Sequence, residues 1–239
     1  MSSLKKIVPF ILKPQIFFLF VAFLLIQLWF TKGLLFGGTE AGIPTYTPEK
    51  TLKQIVWLWW EALGPGASFP TTIASIPLYF FMAILERIGL GALQIQKILF
   101  FIIIYLQGLG ASLVFKTAVE KSNKLQILAG LFYIFNPFMM TFVWHRFIYA
   151  YFILSATLPL FVYFYLKLID SGKNKFILLF LLTSLCASYM FSSIAPVIAV
   201  WLSVFICFLT SVILNRKSLK NIARLSILTV TLLDRKSVV

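Results

Sequence analysis

The chain has 239 residues, of which 61% are hydrophobic and only 12% charged, with a mean hydropathy of +0.97. That balance argues against a water-soluble domain and for a chain whose apolar runs face hydrocarbon. The formal charge of +14 lies mostly in short loops between those runs. It therefore points to membrane topology and not to nucleic acid, for which no basic face with interleaved aromatics exists.

In chain order, the first apolar run follows Met-Ser-Ser-Leu-Lys-Lys and predicts a span over Ile16–Leu35. It is too long for a signal peptide and lacks a small-residue cleavage site, so a retained helix is expected. Next comes FGGTEAGIPTYTPEKTLKQIVWLWWE, Phe36–Glu61. Gly37-Gly38 permit a tight backbone beside a ligand, and Glu40 follows them. A carboxylate there could take a proton from an acceptor hydroxyl, or simply be a solvated loop residue. Thr47-Pro48 is a good helix start. Leu52, Ile55, Val56, Trp59 and Leu63 then predict an apolar stripe that lies at the membrane interface until Gly64-Pro65-Gly66 ends it. Such a helix is either an anchor that pins the loop or a cavity wall, with Trp57 available to stack on a sugar.

Ile73–Leu90 is barely long enough to cross, contains Pro77 and ends in Glu86-Arg87, each costing ~3 kcal/mol at a bilayer centre. Further spans are predicted at Ile98–Phe115, Leu125–Val143, Phe147–Leu168, Phe176–Tyr189 and Val197–Leu214, with a truncated seventh from Ile222. Asn136-Pro137 predicts a kink in the third span. His145-Arg146 occupies the short turn after it, where Arg can fork onto a phosphate and His can donate or ligate. A polar helix end beside Trp144 is the plainer alternative. The turn Ala187–Pro196 (ASYMFSSIAP) is uncharged and fits a helix break lining a polar cavity, or simply a turn. Cys186 and Cys207 read as small buried hydrophobes without metal spacing. The last residues, Asp-Arg-Lys-Ser-Val-Val, resemble a translated sequencing adapter. Residues 1–233 are thus expected to be the amino-terminal part of a longer membrane domain, and 234–239 a non-native tail.

Lys/Arg placement decides whether Ile73–Leu90 crosses. If it does not, thirteen basic residues are cytoplasmic, among them Lys5, Lys6, Lys13, Lys121, Lys173 and Lys220. Six are then outside: Lys32, Lys50, Lys53, Arg87, Lys97 and Arg146. If it crosses, the counts invert. The positive-inside rule favours the first arrangement. The expected fold is an all-α polytopic bundle of about six full spans with a cytoplasmic amino terminus. Its first loop, 36–97, faces outward with two interfacial helices. No Walker loop, dinucleotide fingerprint, zinc spacing or HExxH motif is present.

The order of these pieces resembles the GT-C superfamily of polyprenyl-phosphate-sugar-dependent membrane glycosyltransferases, in particular the large arabinofuranosyltransferases and their archaeal and bacterial relatives. The resembling pieces are TEAGIPTYTPEKTLKQIVWLWW, GASFPTTIASIPLYFFMAILERIGL, LAGLFYIFNPFMMTFVWHRF and the SYMFSS turn, which together span about Phe36–Pro196. The resemblance implies a polyprenyl-phosphate sugar donor, a glycan acceptor on the outer face of the plasma membrane, and inversion at the anomeric carbon. Glu40 would be the base, and His145 and Arg146 would hold the donor phosphate. The family's acid is usually Asp and often paired. Here Glu40 stands alone beside Thr39, which weakens the case for a divalent metal. The competing readings are a lipid-linked-sugar flippase or transporter, and a non-catalytic membrane partner in envelope assembly.

Overall fold

A computed structural model describes residues 13–37, 45–56, 59–60, 67–68, 70–119, 122–145, 148–192 and 194–214. Among the described residues the regular structure is helical apart from one antiparallel two-residue pair. The α-helices are α1 (Pro14–Trp29), α2 (Pro48–Ile55), α3 (Ile76–Arg87), α4 (Ala92–Ala118), α5 (Asn123–Ile134), α6 (Tyr149–Ser171), α7 (Asn174–Cys186) and α8 (Ile194–Leu214). Two 3-10 segments, Pro70–Ser75 and Ser188–Ser192, and a π-helical turn, Met139–Trp144, join them.

Helices α4 and α6, with 27 and 23 residues, are long and apolar enough to cross a membrane. Helices α1 and α7 and the described part of α8 are apolar but shorter. Helix α6 is the centre of the bundle, with Phe152, Ile153, Ala156, Phe161, Tyr165 and Leu168 buried along it. It packs on α4, α7 and α8. Helix α1 buries a single stripe, Phe18, Ala22 and Ile26, at four-residue spacing, while Phe20, Phe23 and Leu28 are exposed. Helices α7 and α8 likewise expose Leu178, Leu182 and Leu185, and Ile198, Leu202 and Phe205.

The pairings give each helix a direction. Phe18 of α1 meets Gly108 of α4, whereas Trp29 meets Phe100, so α1 and α4 are antiparallel. Gln96 meets Tyr149 and Gly110 faces Pro159, so α4 and α6 are parallel. One close contact is built by absent side chains. Gly108 and Gly130 let the backbones of α4 and α5 approach until the Phe18 ring sits across both. A Cβ on either glycine would fall onto that ring, and one on Gly130 would also stand 2.7 Å from the Gly108 carbonyl oxygen.

A buried polar cluster lies beside this contact. Pro159 has no N–H, which frees the Ser155 carbonyl one turn earlier. Tyr133 of α5 donates to that carbonyl at 2.8 Å, and Gln107 of α4 donates to the Ser155 hydroxyl at 2.6 Å.

Several expectations are corrected. Helix α1 stops at Trp29, not Leu35; Phe30 leaves the helical conformation, and Gly33 (φ +66°) then turns the chain, its N–H donating to the Phe30 carbonyl. The Trp-rich helix ends at Ile55. Beyond it, Trp59-Trp60 is extended and pairs with Ala67-Ser68. A run of Val and Trp favours strand over helix, and the intervening Gly64-Pro65-Gly66 is turn sequence. Cys186 is exposed, whereas Cys207 is half-buried and packs against the core. Helix α5 does stop before Asn136-Pro137, whose Asn136 carboxamide accepts from the Met139 N–H at 3.0 Å and starts the π-helical turn.

Overpacking of this kind costs about 1–3 kcal/mol. Gly130→Ala is therefore expected to lower the thermal unfolding midpoint of the purified protein clearly, and an unchanged midpoint would contradict the Phe18 contact.

Candidate functional site at the loop end of the bundle

The first loop leaves α1 and returns to α4 at the same end of the bundle, and one side chain closes its base. Gln96 lies in the second turn of α4 with no exposed surface. Its carboxamide oxygen accepts the Phe36 N–H at 2.8 Å. Its nitrogen donates to the Phe36 carbonyl at 2.5 Å and to the Tyr149 hydroxyl at 2.8 Å. A partly buried backbone segment still needs partners for its polar groups, and here an amide side chain supplies them as a neighbouring strand would. Tyr149 is the first residue of α6, just after the turn that carries His145.

Aromatic rings fill the space around this tie. Phe36 meets Phe30 edge-on at 5.0 Å and stacks near Phe100 at 6.3 Å. Phe100 in turn contacts Phe152 at 4.8 Å. Trp29, the last residue of α1, meets Trp144 edge-on at 4.9 Å, which brings the π-helical turn against the end of α1. The indole N–H of Trp144 is buried and makes no hydrogen bond. His145 follows it and is exposed. Lys97 holds its ammonium 5.8 Å from the centre of the Phe30 ring.

Two further elements reach the same end. The Ser188 hydroxyl donates to the Ala74 carbonyl at 2.6 Å and joins the 188–192 turn to the first loop. Tyr79 of α3 has its phenol pushed well above the ordinary value, first by burial and then by the neighbouring Tyr189 and Tyr149. Its hydroxyl is therefore uncharged at neutral pH and acts through hydrogen bonds alone. Three elements thus place phenols near one another: α3, the start of α6 and the 188–192 turn.

Within the first loop, α2 and α3 are tied end to end. Thr47 is at the helix start, but its hydroxyl makes no capping bond. The Glu86 carboxylate caps α2 instead, accepting the Glu49 N–H at 2.7 Å. Arg87 and Lys53 hold the Glu49 carboxylate at 3.1 and 3.0 Å. Arg87 first, then Lys53, lowers the Glu49 pKa below its ordinary value. Helix α3, about 18 Å long by its twelve residues, delivers its charged end to the start of α2.

Of the four residues singled out by sequence, His145 is at this end of the bundle, whereas Glu40, Trp57 and Arg146 lie outside the described residues. Among the described residues no three His, Cys, Asp or Glu side chains are grouped to hold a metal ion. Sequence reasoning missed Gln96, Tyr79 and Tyr149. The available signal was an uncharged polar residue, Gln96, at the head of the apolar run ILFFIII. Compared with protein-family models, curated proteins and solved structures, the chain matches none.

The Glu49–Arg87 pair supplies a pH test. Its folded carboxylate pKa is depressed, so the tie is complete above the ordinary carboxylate range and is lost only as pH falls through the lowered value. The NMR signal of the Arg87 guanidinium should hold steady until pH drops below that range; a midpoint at or above the ordinary value would contradict the pairing.

Proposed function

We propose that the chain is a membrane glycosyltransferase that moves a sugar from a polyprenyl-phosphate donor to a glycan or glycoconjugate on the outer face of the plasma membrane. The observation that carries this reading is the meeting of three separate turns at one end of the bundle. The root of the Glu40 loop at Phe36, the His145 turn and the 188–192 turn come together around Gln96, Trp144 and Tyr149. In the sequence, these are the turns that the favoured topology places outside.

In this reading α1, α4, α5 with its π-helical turn, α6, α7 and α8 cross the bilayer, and the amino terminus is cytoplasmic. Broad exposed apolar faces on α1, α7 and α8 support it, because water-soluble proteins rarely expose such contiguous surface. The return of the first loop to its starting end, with an α3 too short to cross ~30 Å of hydrocarbon, supports an outward excursion over 36–97.

The chemistry follows from the residue types. The Glu40 carboxylate takes the proton of an acceptor hydroxyl as that oxygen attacks the anomeric carbon. The bond from that carbon to the phosphate oxygen breaks, polyprenyl phosphate leaves, and the configuration inverts. His145 and Arg146 donate to the departing phosphate. Trp57 stacks on a sugar face, and the neutral phenols of Tyr79, Tyr149 and Tyr189 offer further hydroxyl contacts.

A lipid-linked-sugar transporter is the second reading, favoured by the Gln107–Ser155–Tyr133 cluster inside the bundle, where the Gln107 carboxamide oxygen is buried without a partner. One variant separates the two. Glu40→Gln should reduce sugar transfer by about 100-fold or more, in line with loss of a general base, while leaving expression and folding intact. Turnover retained by this variant would reject the catalytic role of Glu40.

A further inference from the structure

The orientation of the Gln96 amide is fixed by backbone. The Phe36 N–H needs an acceptor and the Phe36 carbonyl a donor, so the carboxamide oxygen faces the first and the nitrogen the second. The same nitrogen meets Tyr149, whose oxygen must therefore accept, at 2.8 Å. The Tyr149 O–H is left to donate elsewhere, and it finds no acceptor among the described residues.

Tyr79 and Tyr189 are in the same situation. Among the described residues neither hydroxyl makes a hydrogen bond, and the three phenols do not bond to one another. They are neighbours all the same. The 188–192 turn packs on both α3 and α6, and Ser188 ties it to Ala74 just before α3. Tyr189 and Tyr149 both act electrostatically on the Tyr79 phenol. Three hydroxyls that interact without bonding to one another can be bridged by one ligand. Tyr149 is 1% exposed while Tyr79 and Tyr189 are half-buried, so the cluster is closed at the first and open to solvent at the other two.

The donors are neutral, and among the described residues no Lys, Arg or His side chain is paired with any of the three. Lys97, next to Gln96, lies against the Phe30 ring. An anion held here would lose hydration without gaining a counter-charge, which is costly. A sugar ring gives up only neutral hydroxyls, and these donate and accept as phenols do. The Phe100 ring, 6.0 Å from that of Tyr149, adds an apolar face.

We propose that Tyr79, Tyr149 and Tyr189 form a binding site for one sugar residue, whose oxygens accept from the three phenols. This deepens the transferase reading and rests on it for whose sugar it is, the lipid-linked donor's or the acceptor glycan's. Gln96 serves the site by holding the Tyr149 oxygen as an acceptor, so that its proton is offered to the ligand.

The test uses the full chain in lipid nanodiscs, with carbon-13 at the tyrosine Cζ and the three signals assigned through Tyr79→Phe, Tyr149→Phe and Tyr189→Phe. The probes are the methyl glycosides of glucose, galactose, mannose and arabinose, with inorganic phosphate as a separate arm. At least one glycoside should shift the three signals together. Each Phe variant should weaken its binding roughly fivefold, in line with loss of one hydrogen bond. Should Tyr149→Phe, which also removes an acceptor from Gln96, fail to fold, the other two variants carry the measurement. No shift with any glycoside overturns the site, as does binding undiminished in the variants. Shifts with phosphate alone overturn the sugar assignment. In transfer assays the variants should raise the KM of the acceptor or of the lipid-linked donor roughly fivefold, and whichever moves names the source. Transfer with both KM values unchanged overturns the site. Glycoside binding by a chain that transfers no sugar upholds the site and overturns the transferase reading instead.

Discussion

The carboxamide of Gln96 is the constraint on which the loop end of the molecule depends. The chain that leaves α1 brings partly buried backbone with it at Phe36, and an unpaired peptide group shielded from water costs about 1–3 kcal/mol. Gln96 pairs both groups of Phe36. The sixty-residue excursion is thereby closed at its base. A second closure lies further out, where Glu86 caps α2 and Arg87 pairs with Glu49. The inner tie is partly buried, whereas the outer one is at the surface, where solvent screens it.

That arrangement links fold to chemistry. Helices α1 and α4 run antiparallel because the Phe18 ring lies across Gly108 and Gly130 at one end and Trp29 meets Phe100 at the other. The parallel pair α4 and α6 then puts Tyr149 beside Gln96. The His145 turn arrives at the same place because Asn136 restarts the chain as a π-helical turn that seats Trp144 on Trp29. Each of these contacts is local, yet together they collect turns from three parts of the chain at one end. A site assembled there can draw on side chains from three separate segments.

Much of this was legible in the residues. Apolar runs marked every bundle helix. The break at Asn136-Pro137 follows from proline sterics, and the turn after α6 from Gly172, which adopts the left-handed conformation. The short α3 was foreseeable from Pro77 and the Glu86-Arg87 ending. What could not be read were the pairings between distant residues. Thr47 looked like the cap of α2, but Glu86, 37 residues on, supplies it. Trp59 matched a helical stripe, but strand propensity prevailed and Trp59-Trp60 pairs with Ala67-Ser68. Gln96 looked like any polar residue near a helix start, because nothing local reveals that its partner is the backbone of Phe36. Of the candidate site, His145 is placed by the structure, while the roles of Glu40, Trp57 and Arg146 rest on residue chemistry and the family resemblance.

The central claim is that residues 36–97 leave and re-enter the bundle on one face of a membrane, opposite the loop at Lys173. Single cysteines at positions 50, 97 and 173, in a chain with Cys186 and Cys207 replaced by Ala, can be probed in intact cells with a membrane-impermeant maleimide. The account predicts labelling at 50 and 97 and none at 173 until the membrane is permeabilised. Labelling of 50 and 97 from opposite sides would contradict it.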